Sequence, residues 1–434
     1  MARNKRDAYS KEKRGDKKRQ SFEQSTPQAE VTEKIRVDGA IKRRENKYYR
    51  SLSERYRVAG FTLFLLFVVF CGVMMIRYNE YITYDNFVYL VRDFDSMDSS
   101  SDDASDEIVI DIDASAATRP FRGGFAVAER DRVTLYDSTG VVLLSESESF
   151  SYPALAVSDK YIIAYDIGGN TYSVYNAATR VVSRKTEFPI VCASVCDNGA
   201  FLVTTESDEA KYVTEIYNTA LSNTMNIYKD KYVVSASVSA DGEWVMMASL
   251  AENGADFACE VAFYRIGENV ARKAVLYNMA LPLATAGLDG GNFVLVSDDA
   301  VRFFTPSGEL LSETVFGGEG IACFDTEAWG AVLVLRENSI GTKNRVYVFD
   351  KEGSIIYDKT LEERVSSVYL ASEGNADALC FAVNGQSITS LGKSGEMTYH
   401  AGEDVLRMID TASASYAYTA GKAVSLGALG SNGN

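Results

Sequence analysis

The strongest constraint on this chain is a repeat. Between residues 108 and 430, apolar runs end again and again in a large apolar residue just before a polar turn: Tyr136, Tyr175, Tyr217, Tyr264, Phe304, Phe349, Leu391 and, in a shortened last copy, Leu426. The intervals are 39, 42, 47, 40, 45, 42 and 35 residues. A period of about 40 to 45 residues suits a four-stranded antiparallel unit that must stack on its neighbours to bury both faces. Each of these runs is preceded by another, as in Phe125–Ala128, Tyr161–Ala164, Phe201–Val203, Trp244–Met247, Phe293–Val296, Ala331–Val334, Ala378–Phe381 and Tyr416–Tyr418. These runs are almost continuously apolar, which suits a strand covered on both faces; a strand with one wet face would alternate. Turn signals separate them, among them Asp137-Ser138-Thr139-Gly140, Asp197-Asn198-Gly199, Asp241-Gly242, Asp289-Gly290-Gly291, Pro306-Ser307-Gly308 and Lys351-Glu352-Gly353.

The expected fold class is therefore all-β, an eight-bladed β-propeller over residues 108–430, with residues 431–434 a short tail. Seven blades is the alternative, because the last copy is short. An array of β-sandwiches would show a linker every hundred residues or so, and none is present. Residues Glu107–Ala114 are expected to supply the outer strand of the final blade, so that both ends of the chain close the ring and no edge is left open.

Ahead of the repeats, Val58–Ile76 is an uncharged run of 19 residues. As a helix it would be about 28 Å long, the thickness of the hydrocarbon layer. Arg57, Tyr56, Arg77 and Tyr78 bracket it, so residues 58–77 read as a transmembrane helix with interfacial anchors. The 57 residues before it are too many for the leading segment of a cleaved signal peptide. Residues 1–57 carry a net charge of +9, whereas the remainder carries −25. Seven basic residues lie in the 20 positions before the run and two in the 20 after it. The positive-inside rule then places the N-terminus in the cytoplasm and the C-terminal propeller outside, as a single-pass protein of the cell membrane.

Residues 1–57 read as a basic cytoplasmic tail, disordered over 1–33 and helical over 34–57. Its charges suit anionic lipid or a protein partner, nucleic acid being the least favoured. Residues 78–107 read as an external stalk, with a short helix presenting Phe87, Leu90, Val91 and Phe94, followed by an acidic Ser/Asp spacer.

The chain offers little chemistry. Its single histidine, His400, rules out triads and metal cages that need several. Cys71 reads as a residue packed in the membrane. Cys192, Cys196, Cys259, Cys323 and Cys380 contain no CxxC pair, and each sits in or beside an apolar run, which points to core packing. Cys192 and Cys196 would lie about 13 Å apart on an extended strand, too far for a disulfide. No nucleophile elbow, Walker loop or dinucleotide fingerprint occurs. A pair of carboxylates acting as acid and base is conceivable, but with 51 acidic residues after the tail no pair stands out. Trp244 and Trp329 are expected to wedge between blades. The sequence therefore assigns no catalytic residue, cofactor site or metal site, and the expectation is a protein that is not an enzyme.

The period, the strand order and the D-x-x-G turn after the third strand resemble the quinoprotein-like and WD40-like propellers. The Gly-His and Trp-Asp dipeptides of WD40 repeats are missing, as are the repeated tryptophans of quinoprotein blades. With its anchor, the whole is similar to a bacterial family of single-pass membrane proteins whose external propeller is a domain of unknown function. The resemblance implies architecture and almost no mechanism. The expected role is a binding or scaffold module for a protein or a cell-envelope component. A polysaccharide hydrolase or lyase with paired carboxylates is the alternative, and a quinone-dependent oxidoreductase the least favoured.

Overall fold

The computed structural model describes residues 28–77 and 107–431, apart from 114, 339, 373–377, 393–394, 412–413 and 420. The stalk helix and nearly all of the acidic spacer, like residues 1–27, lie outside the described residues.

One helix, α1 (Gln28–Arg77), carries the apolar run and the basic stretch before it as one element. It starts six residues ahead of the expected 34. Pro27 stands immediately before it, and Gly39 is the only helix breaker between Gln28 and Ala59. Tyr49–Val73 is long and apolar enough to cross a membrane and is unburied along its length. Arg50 and Glu54 pair one turn apart at 3.6 Å, a contact worth a few tenths of a kcal/mol.

The second unit is the propeller. Thirty-two strands, β1 (Glu107–Ile108) to β32 (Ala423–Ser425), form eight four-stranded antiparallel sheets among the described residues. Blade one is β2 (Ala117–Phe121), β3 (Gly124–Ala128), β4 (Arg132–Tyr136) and β5 (Val142–Ser147), running from the channel outward. The next six blades repeat this order. Blade eight runs β30 (Arg407–Asp410), β31 (Ser415–Tyr418), β32 and then β1. The expected ring closure is thus present, with Glu107 opposite Val424 and Ile108 opposite Ala423. The paired segment is only two residues, but Ile108, Ile110 and Ile112 are all buried and the Tyr418 hydroxyl bonds to both N and O of Ile112. Apolar side chains thus hold the closure more than the ladder does.

Apart from the last, the repeat markers lie in third strands, at or within one residue of the strand end. Leu426 instead opens a short helix, α2 (Leu426–Ser431), directly after β32. The runs that precede the markers are second strands, buried on both faces. Aromatic pairs carry the packing: Phe125 stacks on Tyr136 and Phe201 on Tyr217, each at 4.7 Å between ring centroids.

The D-x-x-G turn has a double purpose. In the turn after β24 (Asn344–Asp350), Asp350 Oδ1 accepts the N–H groups of Glu352 and Ser354, and Gly353 takes φ +83°. A Cβ on Gly353 would stand 2.5 Å from the ring of Phe303 on the preceding blade. Glycine is therefore needed both for the left-handed turn and for blade contact. The tryptophans wedge between blades as expected. Trp244 packs into the cluster shared by blades four and five, and Trp329 Nε1 donates to the Ala371 carbonyl at 2.9 Å, from blade six to blade seven.

Candidate functional site

The first strand of every blade lines the central channel. Its main cavity has a volume of about 680 Å³ and opens among the turns that join first to second strands. Three of these turns place Asp159, Asp197 and Asp289 on the mouth. The turns are also tied to one another. Asp197 Oδ1 accepts the Asp159 N–H at 2.8 Å, Asn198 Nδ2 donates to the Asp241 carbonyl at 2.9 Å, and the Asp289 N–H donates to the Ala328 carbonyl at 2.7 Å. These bonds tie the turns of blades two to four to one another and that of blade five to blade six, and Arg122 of the blade-one turn lines the same rim beside the three aspartates.

Hydroxyls line the wall below. Ser194 of β10 (Ile190–Val195) accepts the Val238 N–H, and Ser235 and Ser237 of β14 (Tyr232–Val238) reach Thr285 of β18 (Pro282–Gly287) at 2.9 and 2.8 Å. Each of these contacts crosses a blade boundary. Cys192 and Tyr165 also line the cavity, and burial pushes the titration of both upward, so both are neutral at physiological pH.

On the far side of the channel four charged groups converge. Arg119 Nη1 of β2 binds Asp325 Oδ1 of β22 (Gly320–Glu327) at 2.9 Å. These residues belong to blades one and six, with blades seven and eight between them in the ring, so the pair spans the channel. Asp325 Oδ2 takes the Leu370 N–H at 3.1 Å, and the carboxylate holds the Arg119 guanidinium firmly charged. Glu327, two residues along the same strand, faces the same cavity and accepts no hydrogen bond from a described side chain. Burial, and next the charge of Asp325, push its carboxyl up to about 8, with Arg119 opposing. Asp410 of β30 also faces the cavity but is engaged by Ser372 and Ser415.

Of the residues weighed from sequence, Cys192, Cys196 and Trp329 line this cavity and the others lie elsewhere. His400 is exposed at the end of β29 (Gly395–His400), where Nδ1 meets the Ser387 hydroxyl at 3.1 Å. Cys196, Cys259 and Cys380 are buried, Cys192 and Cys323 half-buried, and none of the described cysteines is in a disulfide. Burial pushes the Cys196 thiol up to about 11, so it is no nucleophile at neutral pH. No group of three His, Cys, Asp or Glu side chains suited to a metal exists among the described residues.

Sequence reasoning did not find Arg119, Asp325 or Glu327. No local signal set them apart: only blades four and five carry Asp-Gly between first and second strands, so the Glu327-Ala328-Trp329-Gly330 of blade six is one departure among several.

A family model described as a family of unknown function (DUF5711) matches residues 99–424, and the chain belongs to this family. No curated protein matches it. Among solved structures it is similar to BamB from Moraxella catarrhalis (9% identity, TM-score 0.48, covering 74% of this chain and 98% of that one). It is also similar to a eukaryotic initiation factor (14%, 0.47, 70% and 80%) and to the Pan2 WD40 domain of Neurospora crassa (10%, 0.41, 63% and 87%).

Proposed function

We propose that this member of the family is a membrane-anchored binding module whose acidic channel mouth receives a cationic segment of a protein or cell-envelope partner. The observation that carries the reading is the cavity of about 680 Å³, opening between turns that present Asp159, Asp197 and Asp289 on a hydrogen-bonded rim. Clefts of roughly 300–1,000 Å³ are the usual size for ligand sites. Turns tied by hydrogen bonds lose little entropy on binding, and three aspartates against the single Arg122 leave the mouth net negative, a field that attracts the opposite sign. The anchor acts from the N-terminal side. With its basic flank in the cytoplasm, the propeller faces the outside, and the tail rests on anionic lipid. The role is binding and not catalysis.

The test is a titration of a fluorescent lysine-rich peptide with the detergent-solubilised chain, read by anisotropy at low and high salt. Binding that weakens with salt and is lost on the combined change Asp159→Asn, Asp197→Asn and Asp289→Asn supports the reading. Binding indifferent to those changes refutes it.

One observation favours a second reading, the hydrolase or lyase. Asp325 and Glu327 sit two residues apart on one strand and so present two carboxyls to the same cavity, as a glycosidase pair would. Against it, Arg119 and the Leu370 amide already engage both oxygens of Asp325. Polysaccharide turnover that disappears in Glu327→Gln would establish the second reading in place of the first.

A further inference from the structure

The Arg119–Asp325 pair does more than tie two blades together. On one side of it lies the main cavity; on the other is a bay of about 30 Å³ lined by Thr118, Phe125, Tyr369, Leu370, Met408 and Ile409. That is the volume of about one water molecule. Both spaces are lined by Arg119, Asp325, Glu327 and Asp410, so the guanidinium stands at their junction. Arg119 is also the more exposed partner. Its side chain is 40% exposed, against 9% for Asp325, which the Leu370 amide holds from behind.

We infer that Arg119 is a swinging bolt across the channel, seated on Asp325 and drawn toward Glu327 when that carboxyl ionises, so that it opens and shuts the bay behind it. The geometry supplies both seats. Asp325 and Glu327 face the channel from one strand, and an arginine fork has donors for two carboxylates at once. Asp410 is no rival seat, because serine hydroxyls occupy it. The charged groups around Glu327 are Asp325 on its own strand, Arg119 on β2, Asp410 on β30 and Asp159 in the turn after β6 (Pro153–Val157). Tyr165 and Tyr369 stand near Arg119, and burial keeps both neutral. With Glu327 protonated, the bolt has one anionic seat. With Glu327 ionised it has two and is held more tightly, so the bay shuts as pH rises. The device does not depend on what docks at the mouth.

The test uses the full chain in detergent carrying Met408→Cys, with Cys192→Ser to silence the thiol in the main cavity. Labelling by a small methanethiosulfonate is followed by intact mass. In this background Arg119→Gln raises the labelling rate at least tenfold. Glu327→Gln leaves the rate near that of the parent at pH 6.5 and raises it severalfold at pH 9, each compared with the parent at the same pH so that thiol ionisation cancels. Circular dichroism confirms that each variant is folded, and Arg119→Lys replaces Arg119→Gln if the latter unfolds. A rate unchanged by loss of the arginine fork overturns the bolt. A Glu327→Gln effect equal at both pH values overturns its control by that carboxyl.

Discussion

Replacing Glu327 by glutamine should make the protein more stable, by an amount that grows as pH rises above about 4.5. In the folded chain the carboxyl holds its proton up to about pH 8, whereas unfolded it releases it at an ordinary 4.5. Between those values the native state binds the extra proton, so the stability contributed by this group falls as pH rises through that window. At about 1.4 kcal/mol per pH unit, the gap amounts to about 5 kcal/mol at most. Water in the channel screens a half-buried carboxyl and brings the expected loss to about 2 to 5 kcal/mol. Glutamine keeps the shape and cannot ionise, so it escapes the loss. Trp244 and Trp329 are the only tryptophans, and both lie in the propeller, so their fluorescence reports propeller unfolding even with the anchor in detergent. Urea titrations at pH 4.5, 6.5 and 9 should show the variant matching the wild type at the lowest pH and exceeding it by the full amount at the highest. A difference independent of pH, or a variant weaker than wild type at pH 9, would refute the reasoning.

Other perturbations test the frame. Gly353→Val should cost about 3 kcal/mol or more by urea titration, because it strains a left-handed turn and drives a side chain into Phe303. Replacing Ile108, Ile110 and Ile112 together by serine should open the ring and expose apolar surface, seen as dye binding and faster proteolysis of blade eight; unchanged protease resistance would show that closure does not depend on them. Arg302→Ala should destabilise by about 3 to 5 kcal/mol, since Arg302 is buried between Asp299 and Glu313, each at 2.6 Å, and its loss strands two carboxylates; Arg302→Lys should recover part of this. Protease applied to intact cells should remove the propeller and spare the tail, and the reverse would invert the proposed orientation.

The frame was legible because its signals are local and repeated. A large apolar residue near the end of the third strand in seven blades and a continuous apolar second strand recur at one period, and ring geometry needs little else. Glu107–Ala114 was readable as the closing strand because its alternating isoleucines had no other sheet to join. The short last copy misled only at Leu426, where the chain turns helical once its third strand is complete. The channel was illegible for the opposite reason. It is built from first strands, which pack between the first strands of both neighbouring blades and also edge the open channel, and so mix small, polar and apolar residues. Arg119 meets a carboxylate 206 positions away, and nothing local distinguishes Asp325 or Glu327 from the other acids. Only closure of the ring brings blades one and six within reach of each other.

Where the partner sits decides the account. A photo-crosslinking residue placed at Ala240 or Thr326 on the channel wall, and in a parallel experiment at Val142 on the outer rim, can be activated in intact membranes. A discrete adduct from the channel positions, absent from the rim and lost when Asp159, Asp197 and Asp289 become asparagine, is the outcome the acidic-mouth account requires. Adducts from the rim alone, or channel adducts indifferent to the aspartates, would contradict it.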